Sequence, residues 1–193
     1  MNKLKGVKDK LIEWGKYHLT DTTSMLSATS PIYAPLETLV FGMPCDESIA
    51  TRALVAGLSY AGLGLAFSKG RDLSRYLFKI TEETKEKIQH LHDAVYGGAF
   101  TAITSPILYY FTSAKDFKSL FYKSLAVTAT AALTGGYVGL SIDAGRDLLG
   151  LEESERMPKI IKYRSPVTKK AIFAGLAVSS VGLMSLIYKN IPK

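Results

Sequence analysis

Long apolar stretches separated by charged blocks dominate the pattern of hydrophobic and polar positions along the 193-residue chain. Four of these stretches carry at most one charged residue each: 49–67, 95–112, 120–142 and 171–188. Each has about the 17–25 residues that a helix needs to cross roughly 30 Å of hydrocarbon. A fifth stretch, 19–41, is weaker because it contains Asp21 and Glu37. The pattern predicts an all-α integral membrane protein with five transmembrane helices.

A soluble bundle of buried helices is the alternative for a chain with 47% hydrophobic residues. Such a bundle needs polar stripes that face water, and the stretch 171–188 has no charged face. The net charge of +7 does not indicate a nucleic-acid partner, because the basic residues flank apolar stretches instead of covering one face. Cys45 is the only cysteine, which excludes an intramolecular disulfide and a cysteine-based zinc site. We see no nucleotide-binding loop, metal cluster or nucleophile–base set, and therefore expect neither an enzyme nor a cofactor.

The distribution of basic residues predicts the orientation in the membrane. Eighteen of the 24 lysines and arginines fall in three blocks, 1–17, 69–92 and 143–170, which alternate with pairs of apolar stretches. The side that is richer in lysine and arginine faces the cytoplasm. We therefore expect a protein of the cytoplasmic (inner) membrane with its N-terminus inside, its C-terminus outside and outer loops near 42–48 and 113–119.

Residues 1–17 have a pattern of their own, with Leu4, Val7, Leu11 and Trp14 at helical spacing between lysines. This is typical of an amphipathic helix on the inner leaflet, with a solvated basic tail as the alternative. The predicted organisation is an amphipathic helix (1–18), a first repeat (19–73), a cytoplasmic loop (74–92), a second repeat (93–148), a cytoplasmic loop (149–170), and a last helix with an outer tail (171–193).

The two repeats are predicted from words that recur at a spacing of 75 residues. The words are Thr-Ser-Pro-Ile at 29–32 and 104–107, and Gly-Arg-Asp-Leu at 70–73 and 145–148. Twelve of 45 positions are identical between the two halves without a gap. Each repeat holds two helices, and an even number of crossings preserves orientation. We therefore expect the halves to be related by an axis along the membrane normal.

Pro31 and Pro106 stand in the middle of the first and third predicted helices. Proline removes a backbone hydrogen bond and kinks a helix. Freed carbonyls at this depth are tolerated where they are buried in protein or line a cavity, and interrupted helices in corresponding places of two halves indicate a transport site. We expect the two prolines to face each other across an inner cavity, with a purely structural kink as the alternative.

Ionisable residues within predicted membrane helices are functional candidates, because their burial must be offset by a partner or by water. Glu37 and Arg52 lie at similar depth on either side of a short loop, so an ion pair is expected. This pair either has a structural role, as an ion pair that closes the outer hairpin, or takes part in binding the substrate.

Asp21, Asp93 and Asp143 lie near the inner ends of helices. They are candidates for substrate or proton binding, and helix capping is the alternative for Asp21 and Asp93. Arg71 and Arg146, with Asp72 and Asp147, form the recurring structural motif, and the two arginines are interpreted as anchors that face the inner surface. His18 with Asp21, and His92 with Asp93, are candidates for proton transfer.

Small residues four apart predict close packing of helices, at Gly135 and Gly139 and at Gly57 and Ala61. Together with the charged residues they complete a series that runs along the chain: Asp21-Thr22, Glu37, Gly42-Met43, Arg52, Arg71-Asp72, Asp93, Ser105-Pro106, Gly135, Gly139, Asp143 and Arg146. In order and spacing the series resembles the small bacterial L-alanine exporters (the AlaE family). The resemblance covers about two thirds of the chain, from Asp21 to Leu148. That family has four helices, whereas a fifth is predicted here, and the cytoplasmic loops here are longer.

The resemblance implies a secondary transporter that exports a small neutral amino acid, such as L-alanine, with coupling to protons. A zwitterion presents an ammonium group suited to Glu37 or to free carbonyls, and a carboxylate suited to Arg52. Asp21 is the first candidate for the proton-carrying group and Glu37 the second. Five helices leave little protein to enclose a path, so a homodimer is expected. The alternatives are a small channel and a non-catalytic membrane scaffold or subunit that binds a partner through its cytoplasmic loops.

The only cysteine makes the orientation testable. Cys45 falls in the predicted outer loop 42–48, so a membrane-impermeant thiol reagent should label it on intact cells. Labelling that requires permeabilised cells would place this loop inside and reverse the predicted orientation.

Overall fold

A computed structural model describes residues 2–112 and 116–191, with side chains from residue 8 onward. Regular structure in this part of the chain is entirely helical, which confirms the all-α fold class. The α-helices are α1 (Asn2–Pro35), α2 (Cys45–Leu58), α3 (Gly64–Leu77), α4 (Glu86–Thr112), α5 (Phe117–Leu148), α6 (Lys159–Lys162) and α7 (Pro166–Asn190). Single π-helical turns follow α1 at Leu36–Val40 and join α2 to α3 at Ser59–Leu63.

Three helices in the described residues are long and apolar enough to cross a membrane. They are Cys45–Leu77, which combines α2 and α3, Phe117–Leu148 and Pro166–Asn190. With 34 and 27 residues, α1 and α4 have sufficient length but do not reach the same apolarity. The structure is therefore that of a helical protein suited to a membrane, and the count of five crossings stays a prediction.

The first helix runs without interruption through the predicted boundary at residue 18. The predicted amphipathic helix and the first apolar stretch are thus one element, α1. Leu4 and Val7 lie outside the described side chains, whereas Leu11 and Trp14 are exposed. Helices also extend into the predicted loops, because α3 continues to Leu77 and α4 begins at Glu86, within the predicted loop 74–92.

The connections at the other end of the bundle are short. The predicted outer loop 113–119 lies partly outside the described residues, and the tail beyond residue 191 lies wholly outside them. Asp116 caps α5, since its side chain accepts a hydrogen bond of 2.8 Å from the Ser119 backbone N–H. At the opposite end, where α7 begins, Ser165 caps that helix in the same way, by accepting from the Thr168 N–H at 3.2 Å.

The π-helical turn between α2 and α3 depends on Gly62, whose φ is 137°. This conformation is open to glycine but strained for residues with a Cβ atom. The Tyr60 carbonyl in this turn accepts a hydrogen bond of 2.8 Å from His18 Nε2. This hydrogen bond, made possible by the interruption of the helix, connects α1 to the α2–α3 pair.

Glycines allow α4 and α5 to pack closely, as the Gly135 and Gly139 spacing predicted. A Cβ atom at Gly135 would lie 2.7 Å from the Ala94 Cα, and one at Gly139 would overlap the Asp93 carboxylate. By contrast, no atom of another element lies within 4 Å of the Cβ position at Gly57, so the predicted close packing there is wrong. The glycine face of α5 brings α4 near enough for Asp93 to reach the centre of the bundle.

Substitution of Gly139 tests this packing. Gly139→Ala should destabilise the fold by about 1–3 kcal/mol, because the methyl group displaces a buried carboxylate from its partners. The measurement is thermal unfolding of the purified protein in detergent. Gly175→Ala on α7 is the matched control, because its Cβ position is open and alanine favours a helix. Equal stability of the two variants would contradict the close packing.

Candidate functional site

Glu37 is fully buried and is held by three side chains. Arg52 donates from Nε to Oε2 at 3.1 Å and from Nη2 to Oε1. Ser48 Oγ donates to Oε2 at 2.7 Å, and Tyr109 Oη donates to Oε1 at 2.9 Å. These four residues, here called the Glu37 cluster, confirm the predicted pairing of Glu37 with Arg52.

The local sequence explains why Glu37 points inward. Pro35 lacks the N–H that would continue the regular helical ladder, and the π-helical turn begins at the next residue. Phe41 closes this turn by donating its N–H to the Leu36 carbonyl at 3.1 Å. The Arg52 guanidinium also lies over the Tyr33 ring, 5.3 Å from its centroid, which adds a cation–π contact.

A larger set of charges lies at the opposite end of the bundle. Arg71 and Arg75 of α3 meet Asp93 of α4, at 3.1 Å from Arg71 Nε to Oδ1 and 2.6 Å from Arg75 Nη2 to Oδ2. Asp143 of α5 accepts from Arg71 Nη2 at 2.8 Å and from Arg156 Nη1 at 2.7 Å. All five side chains are at most 10% exposed. We call them the Asp93 cluster.

Two sequence-based alternatives are wrong at this end. Asp21 and Asp93 do not cap helix N-termini, since α1 begins at Asn2 and α4 at Glu86, several residues before them. Arg71 and Arg146 do not anchor the protein at the surface, since they are 1% and 6% exposed and paired with carboxylates. In an apolar interior a carboxylate is the partner that a guanidinium group requires.

Arg146 is the centre of a third set of charges. It contacts Asp21 of α1 at 2.9 Å from Nε to Oδ1 and at 2.8 Å from Nη2 to Oδ2. It also donates to Asp72 Oδ2 at 2.9 Å and to Glu152 Oε2 at 3.2 Å. Its guanidinium lies 5.4 Å from the centroid of the Tyr17 ring. These side chains form the Arg146 cluster, which joins α1, α3 and α5.

The last motif residue, Asp147, holds two further segments. Its Oδ1 accepts from Lys169 Nζ of α7 at 2.6 Å. Its Oδ2 accepts from the Ser154 backbone N–H at 2.9 Å. Asp147 therefore fixes the start of α7 and the segment between α5 and α6.

The two histidines differ in their surroundings. His92 Nδ1 lies 3.2 Å from Asp93 Oδ1, as expected for the predicted pair. His18 contacts Thr22 and the Tyr60 carbonyl, and its ring makes no hydrogen bond with Asp21 in the described chain. The structure therefore joins a histidine to the Asp93 cluster only.

A cavity of about 120 Å³ lies between α1, α2, α3, α4 and α5. Arg52, Tyr33 and Tyr109 line it at the Glu37 end, and Phe67 and Gly135 line it toward the other end. Arg71 follows Phe67 by four residues on α3, so the Asp93 cluster begins about one helical turn beyond this central cavity. The two clusters thus lie beyond opposite ends of the cavity. Its polar lining is mostly hydroxyl groups, from Thr29, Thr51, Ser59, Thr101, Thr104, Ser105 and Thr134.

The two Thr-Ser-Pro-Ile sequences contribute hydroxyl groups to the central cavity, but their prolines do not line it. Thr29 and Thr104 line it from equivalent positions, and each donates from Oγ1 to the carbonyl four residues earlier, at 2.8 and 3.0 Å. Pro31 lines a separate groove beside α7, and Pro106 does not line the central cavity. The predicted arrangement, with both prolines facing an inner cavity, is therefore not seen.

Several residues of the three clusters were not anticipated from sequence. Arg75 follows Arg71 by one helical turn, and this spacing could have identified it. Ser48 precedes Arg52 by one helical turn on α2, and this spacing could also have identified it. Tyr109 reaches Glu37 from a distant segment, and Arg156 enters from an irregular segment after α5, so no local pattern marks these two.

Comparisons with protein-family models, with curated proteins and with solved structures find no match to this chain. The resemblance to the L-alanine exporters therefore stays a prediction that rests on the residue series alone.

Paired substitutions test the Glu37 cluster. Glu37→Gln or Arg52→Gln should each destabilise the protein by about 3–5 kcal/mol, because each leaves one buried charge without its partner. The double variant should recover most of this loss, since no unpaired charge remains. Unfolding in detergent gives the stabilities, and protein level in the membrane gives an independent readout.

A surface pair provides the control for this cycle. Lys162 and Glu155 lie 2.7 Å apart with Glu155 69% exposed, and Glu155→Gln should leave stability nearly unchanged, because solvent screens an exposed pair. A double variant of the Glu37–Arg52 pair that is as unstable as the sum of its single variants would show that the two charges are not coupled.

Proposed function

We propose that the protein is a secondary membrane transporter that exports a small neutral amino acid of the L-alanine type, coupled to protons. The observation that carries the proposal is the central cavity, which lies between two buried ionic clusters. Asp93 and Tyr109 belong to opposite clusters and are sixteen residues apart on α4, or about 24 Å at 1.5 Å per residue. A cavity with a cluster of breakable ion pairs near each end suits alternating access.

The size and lining of the cavity suit a small zwitterion. Cavities of about 150 Å³ hold benzene, which has the same number of non-hydrogen atoms as alanine, and this one is only slightly smaller. Arg52 uses Nε and Nη2 for Glu37, so its Nη1 remains as a donor for a carboxylate. The buried Ser105 hydroxyl has no partner in the described chain and is a further group for a ligand.

The 75-residue spacing supports a cavity on the axis between two similar halves. Many of its lining residues are related by that spacing: Met25 and Phe100, Leu26 and Thr101, Thr29 and Thr104, Tyr33 and Leu108, Arg52 and Val127, Ser59 and Thr134, Leu63 and Val138. Paired helices around a shared site are common in transporters. In this proposal α1 and α4 also cross the membrane, which gives five crossings with the Asp93 cluster toward the cytoplasm.

The arginine partners suggest how protons are coupled to transport. Each candidate carboxylate is held by a guanidinium group, Asp21 by Arg146 and Glu37 by Arg52. Protonation of either carboxylate removes the charge that holds its arginine and loosens that end of the bundle. Release of a proton from Asp21 would restore its pair with Arg146, and release from Glu37 would restore its pair with Arg52.

Filling the cavity tests the proposal. Ala131 is 6% exposed and lines the cavity, so Ala131→Leu should occupy the substrate volume. In vesicles with reconstituted protein, counterflow of labelled L-alanine should fall at least about tenfold. Ala129→Leu adds the same atoms to an exposed position of α5 and should leave the flux unchanged.

The same vesicles separate the proposal from its alternatives. Stimulation by a pH gradient is expected for a proton-coupled exporter, and a channel would show flux without counterflow. Absence of any amino-acid flux through the wild-type protein would overturn the proposal and favour the scaffold.

A further inference from the structure

The Asp93 cluster contains more positive than negative charge. Three guanidinium groups, from Arg71, Arg75 and Arg156, meet two carboxylates, from Asp93 and Asp143. No other acidic residue contacts these arginines in the described part of the chain. An unpaired charge in an apolar interior costs several kcal/mol. The surplus therefore calls for an additional anion.

Two donors in this cluster have no acceptor. Arg71 Nη1 and Arg156 Nε are buried and make no hydrogen bond with the described residues. The side chains are 1% and 2% exposed. Buried donors without a partner are rare in proteins and are costly. The missing acceptors and the surplus charge are separate observations, and both indicate an anionic ligand.

The cluster is also reachable from the surface of the protein. Arg75 and Asp143 line a cleft of about 760 Å³ that begins where α3 ends. The rest of the cleft is lined by charges of both signs, from Lys69, Lys79 and Arg146 and from Asp72, Glu82, Glu152 and Glu153, so the cleft is polar and open to hydrated ions. Asp143, which lines this cleft, accepts from the buried Arg71 at 2.8 Å, so the cleft ends beside the group that lacks an acceptor.

We propose that the Asp93 cluster is a binding site for one small anion, either a carboxylate or a halide. The anion accepts hydrogen bonds from the free N–H groups of Arg71 and Arg156 and balances the surplus charge. This site differs from the central cavity, and the proposal does not depend on transport.

Arg156 makes the proposal testable because each aspartate of the cluster keeps another arginine partner when Arg156 is removed. It belongs to the irregular segment between α5 and α6, and without it two arginines face two aspartates. Arg156→Gln should therefore fold while losing its affinity for anions. Arg164→Gln is the matched control, because Arg164 is an exposed arginine shortly after α6 and contacts only the Ile160 carbonyl.

The experiment is thermal unfolding of the full chain in detergent at constant ionic strength. Sodium gluconate, with its bulky anion, serves as the reference salt and is replaced stepwise by sodium chloride or sodium acetate. The wild-type Tm should rise with saturation, because a ligand that binds the folded state stabilises it. The half-saturating concentration should be unchanged in Arg164→Gln and at least about tenfold higher in Arg156→Gln.

The results distinguish the sources of the anion. A response to chloride alone identifies a halide site, and a response to acetate identifies a carboxylate site. No saturable response of the wild-type protein, or an equal response of Arg156→Gln, overturns the proposal. If Arg156→Gln does not fold, Arg156→Lys takes its place, because lysine keeps the charge but lacks the Nε donor, and an unchanged half-saturating concentration in that variant is a refutation. Vesicle flux is measured separately, so failure of this site and failure of transport are distinguishable.

Discussion

Arg71 joins three helices through ion pairs, which a buried guanidinium group requires in an apolar interior. From α3 it reaches Asp93 on α4 and Asp143 on α5, and it is 1% exposed. A charge in this position cannot be left without a partner, because the cost of an isolated buried ion exceeds that of most other defects. The relative positions of α3, α4 and α5 are therefore restricted to those in which these carboxylates meet the guanidinium group.

Close helix packing is the condition for this pairing. Asp93 occupies space that a Cβ atom at Gly139 would take, and the Gly139 carbonyl itself accepts from Arg71 Nη2 at 3.2 Å. The glycine thus supplies both room for the carboxylate and an acceptor for its arginine. The two arginines of the recurring motif also pair in a crossed manner. Arg71 of the first predicted repeat binds Asp93 of the second, and Arg146 of the second binds Asp21 of the first. Charge pairing therefore ties the two halves together.

The sequence was sufficient to predict features that depend on residues close together in the chain or on long apolar stretches. Apolar stretches located the helices, and the short loop after Glu37 was enough to pair it with Arg52. Asp93 was harder to interpret, because the helix was expected to start where charge ends. In fact α4 begins seven residues earlier, at Glu86, since a helix can continue through polar sequence outside an apolar layer. Arg156 could not be placed at all, because its segment has no periodicity and its partners are distant in sequence.

The last helix lies outside the resemblance to the four-helix exporters, yet it is bonded to both ends of the bundle. Near its C-terminal end, Tyr188 Oη lies 2.9 Å from Ser48 Oγ, which donates to Glu37. Near its start, Lys169 binds Asp147, the neighbour of Arg146. A 25-residue helix is stiff along its axis. α7 therefore connects the neighbourhoods of the Glu37 cluster and the Arg146 cluster through contacts that do not pass through the central cavity.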